Sequence, residues 1–323
     1  MQSSLLLFSA AFGAANAYTI TTADRFMLKN IDPIVFPGQY SKSHLHSFFG
    51  SDAVTINTTT SAELQAGCST AQNPNDYSVY WVPTLIYTSP TDNAQYPVPI
   101  NRFSAYYVSI ENAEVAIPQN YRGVAGKSGA TSQADVEDLA GISWFCEGDS
   151  DQPEKDAAAF PLKTCSTHLQ TLLLFHDCVN EETLDSAYSG TQNWNSTYKA
   201  TNRCPEGMKR MPQLRFSIRY DLRTALPDGW EGQPPLELAC GPGYCSHGDF
   251  INGWLPEAAE NMLLANDKRE FAGVSGPDGD YNDGSVCGAK NAVDADPDHG
   301  TDDYAESVAL MSKRNVDSRR RRV

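Results

Sequence analysis

Leu214-Arg215-Phe216-Ser217-Ile218-Arg219-Tyr220-Asp221-Leu222 puts Leu214, Phe216, Ile218 and Tyr220 on one side of the chain and Arg215, Ser217 and Arg219 on the other. Successive side chains of a strand point to opposite faces, so this period of two predicts a strand with one buried and one wet face. Tyr77–Thr88 (YSVYWVPTLIYT), Phe103–Glu111 (FSAYYVSIE) and Gln170–Phe175 (QTLLLF) are rich in aromatic, β-branched and other apolar residues and read as further strands. Within the first of them, Pro83 has no N–H for a ladder and predicts an edge strand or a bulge. The connections carry Pro, Gly, Asn and Asp, which is turn chemistry rather than crossover helices. A single helix is predicted, from Pro256, with proline in its first turn, to Phe271, with Gly273 as its stop signal. The expected fold is mainly β: a single β-sandwich or jelly-roll-like domain with long loops and few helices, stapled by disulfides.

The chain has 323 residues, 41% of them hydrophobic, which is enough for a real core and excludes wholesale disorder. Its formal net charge of −16 argues against a nucleic-acid partner, since phosphate binding needs clustered positive charge. Residues 1–17 end in Ala15-Asn16-Ala17 after an apolar run from Leu5 to Ala15, the pattern of a signal peptide with Tyr18 as the mature N-terminus. A run of about 11 apolar residues is too short for a bilayer core that needs about 20, and no later segment is longer, so no membrane span is expected. Residues 18–275 are expected to form the domain. Residues 276–323 read as a loosely ordered Gly/Asp-rich segment with a basic tail, Lys313-Arg314 and Arg319–Arg322, that is either a solvated end or a processing site. Eight cysteines and no Cys-x-x-Cys predict four disulfides in an extracellular, secreted protein. Nearness along the chain suggests Cys146 with Cys165 and Cys178 with Cys204. Asn57 and Asn195 head sequons for N-glycans.

Histidine is scarce, six residues in all, so its placement carries weight. On a strand, His44 and His46 of Ser43-His44-Leu45-His46 would share one face and converge on one cation or substrate. Ser246-His247-Gly248-Asp249 adds a third imidazole and a carboxylate around a glycine, which lets backbone approach closely or turn sharply. Together these residues suit either a zinc, copper or iron site or a metal-free His/Asp acid–base pair. His176-Asp177-Cys178 follows a strand and reads as a turn held by a disulfide; His168 and His299 have no obvious partners. Asp278-Gly279-Asp280 opens like a calcium loop, but Ala289 stands where the bidentate glutamate belongs. Neither a G-x-S-x-G, an H-E-x-x-H, a P-loop nor a G-x-G-x-x-G occurs, which removes several hydrolase and nucleotide-binding classes. Trp81 and Trp254 are the aromatics expected to stack on a sugar ring.

Asp32-Pro33-Ile34-Val35-Phe36-Pro37-Gly38, Ser43-His44-Leu45-His46 and Phe49-Gly50 resemble the opening signature of a secreted fungal family, the domain of unknown function numbered nineteen ninety-six. Tyr80-Trp81-Val82-Pro83 is similar to its next block, Arg203-Cys204-Pro205 to a later one, and His247-Gly248-Asp249-Phe250-Ile251-Asn252-Gly253-Trp254 to its final block. The resemblance runs in order from about Asp24 to Asn261 and implies a secreted, mostly β domain, joined in some relatives to cell-wall-binding modules, with no settled activity. Leu174-Phe175-His176-Asp177-Cys178 stands where the family has a block ending in Cys-Trp-Asp-Gly, which puts any role of that block in doubt.

The function expected is action on extracellular or cell-wall polysaccharide, hydrolytic in kind. His247, Asp249 and, more distantly, Asp32 are the catalytic candidates, His44, His46 and His247 the metal ligands, and Trp81 and Trp254 the substrate platform. The cofactor is open between none and one divalent transition metal, zinc or copper. The alternative is a non-catalytic glycan-binding or cell-wall-associated protein.

Overall fold

In the computed structural model, which describes residues 18–149, 156–190, 201–265 and 274–280, the strand at Leu214 spans Gln213–Tyr220. Ten strands build the two large sheets. In chain order they are β1 (Tyr18–Ala23), β2 (Arg25–Lys29), β3 (His46–Gly50), β4 (Val79–Pro83), β5 (Ile100–Val108), β6 (Arg122–Gly126), β7 (Ser143–Cys146), β8 (Leu169–Leu174), β9 (Gln213–Tyr220) and β10 (His247–Ile251). The first sheet has the order β1-β5-β9-β8-β7 and the second β2-β3-β4-β10-β6, with every pairing antiparallel. Two three-stranded sheets flank them, one of which contains Leu85–Thr88. The mainly β expectation holds.

Alternation decides which side chains fill the space between the sheets. Phe49 of β3 stacks on Phe103 of β5 at 4.1 Å between ring centroids, and Phe216 of β9 meets Phe103 edge-on at 4.9 Å. Gly248 lies where β10 comes nearest the first sheet: a Cβ there would stand 2.9 Å from Leu173 and from Phe216. The glycine between His247 and Asp249 therefore serves close approach, not a turn. Also buried in this core, Tyr80 donates to Asp76 Oδ2 at 2.5 Å and shares a 2.7 Å hydrogen bond with Tyr107, which accepts from Trp254 Nε1 at 2.8 Å.

The opposite face of the second sheet is also covered. Met27, Phe48, Val79, Trp81 and Ile251 pack there against Ile31, Val54, Ile56 and Leu64 from the segments that leave β2 and β3. Leu64 belongs to α1 (Ser61–Gln65), whose Thr60/Glu63 capping box satisfies its first amides.

Several expectations change. Pro83 is the last residue of β4, a central strand, so its missing N–H falls at the end of the ladder rather than at an edge. Ser217 is buried rather than wet, accepting from Gln170 Nε2 at 2.7 Å. The helix at Pro256 ends at Met262; Leu263 and Leu264 form a turn, and 266–273 lie outside the described residues. Of the segment after 275, residues 276–280 are tied to the domain: Asn75 bonds Gly279 and Asp278, and Tyr77 donates to Asp278 at 2.7 Å. The signal peptide, Asn195, His299 and the basic tail lie outside the described residues.

Three disulfides are present among the described residues. Cys146–Cys165 and Cys178–Cys204 match the pairs expected from nearness, and Cys240–Cys245 is a third. These bridges are compatible with an oxidising compartment. No helix among the described residues is long and apolar enough to cross a membrane.

Candidate metal centre

The two histidine motifs meet on the outer face of the second sheet. His46 of β3 lies opposite Pro83 of β4, and Asp249 of β10 lies opposite Trp81, so continuing that register sets His247 across from Pro83 as well. His46 and His247 thus flank one short pyrrolidine ring on the strand between them, and above it their Nε2 atoms come within 3.4 Å. His44, in the approach to β3, completes the group: its ring centroid is 4.2 Å from that of His46 and 5.0 Å from that of His247. One ligand atom from each of the three lies within 4.8 Å of the others. His46 and His247 are buried and His44 is partly exposed.

Backbone carbonyls fix which nitrogen of each buried ring is bare. His46 Nδ1 lies 3.0 Å from the Ile31 carbonyl oxygen, and His247 Nδ1 lies 2.8 Å from that of Cys245. A carbonyl only accepts, so both Nδ1 atoms carry the proton, and in the neutral rings both Nε2 atoms present lone pairs. Two lone pairs facing each other at 3.4 Å cannot hydrogen-bond. That spacing suits a shared cation instead: ligand nitrogens about 2.0–2.1 Å from a tetrahedral zinc stand about 3.3–3.4 Å apart. Burial favours the neutral, ligating form, holding His46 well below its ordinary range, helped by His247, and drawing His247 down to about 4 against the opposing Cys245 hydrogen bond.

Asp249 sets a carboxyl group beside these nitrogens. Its Oδ2 stands 3.8 Å from His247 Nε2, the side chain is fully buried, and neither carboxylate oxygen has a hydrogen-bond partner. Burial first, and the nearby Asp32 second, push its carboxyl well above the usual range. A buried carboxylate without donors is a poor occupant of an apolar face unless a cation joins it. Asp32 is buried in the covering segment, where its Oδ1 accepts from Ile34 N at 3.0 Å and Val35 N at 2.9 Å. Burial raises its carboxyl against the lowering effect of those two bonds. Those two bonds shape the turn that follows Ile31, whose carbonyl meets His46 Nδ1.

The sequence-derived group of His44, His46, His247 and Asp249 is therefore brought together, with Asp32 near Asp249. The sugar platform is not formed. Trp81 is 0% and Trp254 1% exposed, the former stacked on Phe48 and opposite Asp249, the latter bonded to Tyr107 inside the sandwich, so neither ring has a face open to a pyranose. His176 instead pairs with Ser186 at 2.7 Å, and His168, read as partnerless, bonds Glu147 at 3.0 Å.

Lys29 was not singled out by the sequence. It lies opposite His46 on β2, fully buried, with its Nζ 5.5 Å from the centroid of the Tyr40 ring. A lysine closing a strand reads as a solvated end, and only the covering segment makes it an inside residue.

No curated protein and no solved structure matches this chain. A family model, a domain of unknown function designated DUF1996, matches residues 32–254, the span that holds Asp32, His44, His46, His247 and Asp249. The chain belongs to that DUF1996 family.

Proposed function

We propose that this protein is a secreted metalloprotein holding one divalent transition ion, zinc by preference, between His44, His46 and His247, with Asp249 as fourth ligand or as acceptor for a water proton. The observation that carries the reading is the 3.4 Å approach of two Nε2 atoms whose Nδ1 partners are both tied to carbonyls. A nitrogen-rich set with one carboxylate suits zinc and copper over the oxygen-seeking calcium or magnesium. In such a site the ion lowers the pKa of a bound water to about 7, which is the basis of metal-assisted hydrolysis. His46 and His247 would hold the ion rigidly, because each is clamped at its second nitrogen. The partly exposed His44 marks the side from which water and a small or terminal group of a substrate would approach.

Hydrolysis of an extracellular polysaccharide belongs to this proposal as the substrate class to be tested first, and it has no support from an aromatic platform. The purely glycan-binding alternative is weakened by the same burial of Trp81 and Trp254. Cobalt(II) titration of the chelator-treated protein tests the metal reading: intense visible absorption bands of a tetrahedral nitrogen-ligated ion, saturating at one equivalent, are expected. A spectrum that stays that of aqueous cobalt would overturn it.

A further inference from the structure

The carbonyl that fixes the tautomer of His247 belongs to a disulfide-bonded residue. Cys245 closes the one-turn 3-10 helix Gly243–Cys245, and its oxygen lies 2.8 Å from His247 Nδ1. Its sulfur is bonded to Cys240, only five positions earlier. The loop between is pinned at one end by paired hydrogen bonds of 2.7 Å between Leu238 and Gly241, and at the other by Cys245 N to Pro242 O at 2.9 Å. Gly241 takes a φ of +136°, open to glycine and not to L side chains. Of the three bridges among the described residues, this one contains the cysteine whose backbone bonds a proposed ligand.

We propose that the Cys240–Cys245 disulfide is the positioning element of the metal centre, holding the Cys245 carbonyl against His247 Nδ1 so that Nε2 stays bare and aimed at His46. The inference rests on the metal reading above and adds to it a control point outside the ligand set. The ladder partner of His247, Gly126 on β6, fixes the backbone at 247 but not the carbonyl two residues earlier. With the bridge open, the Cys245 carbonyl is held only by the backbone of its turn, through Cys245 N to Pro242 O at 2.9 Å and Ser246 N to Gly243 O at 3.1 Å. Its hold on His247 Nδ1 then loosens, and the imidazole gains access to the Nε2–H tautomer, which cannot ligate through that nitrogen. Removing a partner of this kind typically costs about 10–100-fold in metal affinity. Cys240 is partly exposed at the surface, whereas Cys245 is buried, so the Cys240 side is the one from which a small reductant would approach.

The test measures zinc affinity of the full chain by competition with a chromophoric chelator, for wild type, Cys240→Ser/Cys245→Ser and Cys146→Ser/Cys165→Ser. The expected result is a loss of about 10–100-fold in the first double variant and no comparable loss in the second, although both lose a stabilising bridge. Nitrogen-15 spectra of the metal-free proteins give the readout that general loosening would not move: His247 protonated on Nδ1 in wild type and in the control, and a mixture of tautomers in Cys240→Ser/Cys245→Ser. If that variant fails to fold, native wild type treated with a water-soluble phosphine replaces it. The phosphine takes oxygen from water to become its oxide, two thiols form, and alkylation maps the opened bridge to Cys240 and Cys245. Equal zinc affinity with the bridge open overturns the positioning role alone. Absence of zinc binding by wild type overturns the metal reading and this inference with it.

Discussion

Asp249 Oδ2 lies 3.8 Å from His247 Nε2, two residues along the same strand and on the same face of it. The separation places a carboxylate beside the bare nitrogen of an imidazole without a hydrogen bond between them, in a position where burial has stripped the carboxylate of every other donor. Such an arrangement is costly for the isolated chain and becomes favourable once a cation joins it.

Asp249→Asn keeps the shape of the side chain and removes its charge. Zinc affinity is expected to fall by about 10–100-fold. The metal-free variant should melt no lower than metal-free wild type, because the carboxyl it replaces is buried without a hydrogen-bond partner. Calorimetry with and without zinc checks both; unchanged affinity would remove Asp249 from the centre.

Gly248→Ala inserts a Cβ 2.9 Å from Leu173 and Phe216, where the two sheets press together. Overpacking of this kind costs about 1–3 kcal/mol. The denaturant midpoint should shift down accordingly while the slope of the unfolding transition stays the same. A midpoint equal to that of wild type would mean that the sheets have room there.

Asp76 predicts a pH dependence located in the sandwich core. Burial raises its carboxyl from 3.8 to about 6, against the lowering effect of hydrogen bonds from Tyr80 and Ser78. The folded state therefore holds this proton more tightly than the unfolded chain does. The group's stabilisation is fully present below about pH 4 and is lost as pH rises through about 6, an amount of about 3 kcal/mol. Asp76→Asn should flatten that part of the stability curve between pH 4 and 7. An equally steep fall in the variant would assign the dependence to other buried carboxyls such as Asp32 and Asp249.

The strand at Leu214 and the pairs Cys146–Cys165 and Cys178–Cys204 were legible because their signals are local: a period of two, and short separations along the chain. The histidines were legible as two short motifs, but their meeting depends on β4 lying between β3 and β10 and on Pro83 being the residue at that level, which no spacing reveals. Trp81 and Trp254 read as sugar platforms because aromatic residues serve cores and binding faces alike. The sheet's second face is covered by residues from 31 to 64, and that cover turns Trp81 into an interior residue and hides Lys29. Cys240 and Cys245 were legible as disulfide cysteines but were not paired from nearness, although only five positions separate them, and the contact of the Cys245 carbonyl with His247 has no side-chain signature.

The most direct test of the central claim is elemental analysis of the purified, tag-free protein beside a His46→Ala/His247→Ala variant whose circular dichroism confirms its fold. The metal reading predicts close to one equivalent of zinc or copper in the wild type, retained through gel filtration, with little or none in the variant. A wild type that carries no transition metal and takes up none on incubation with zinc or copper would contradict it.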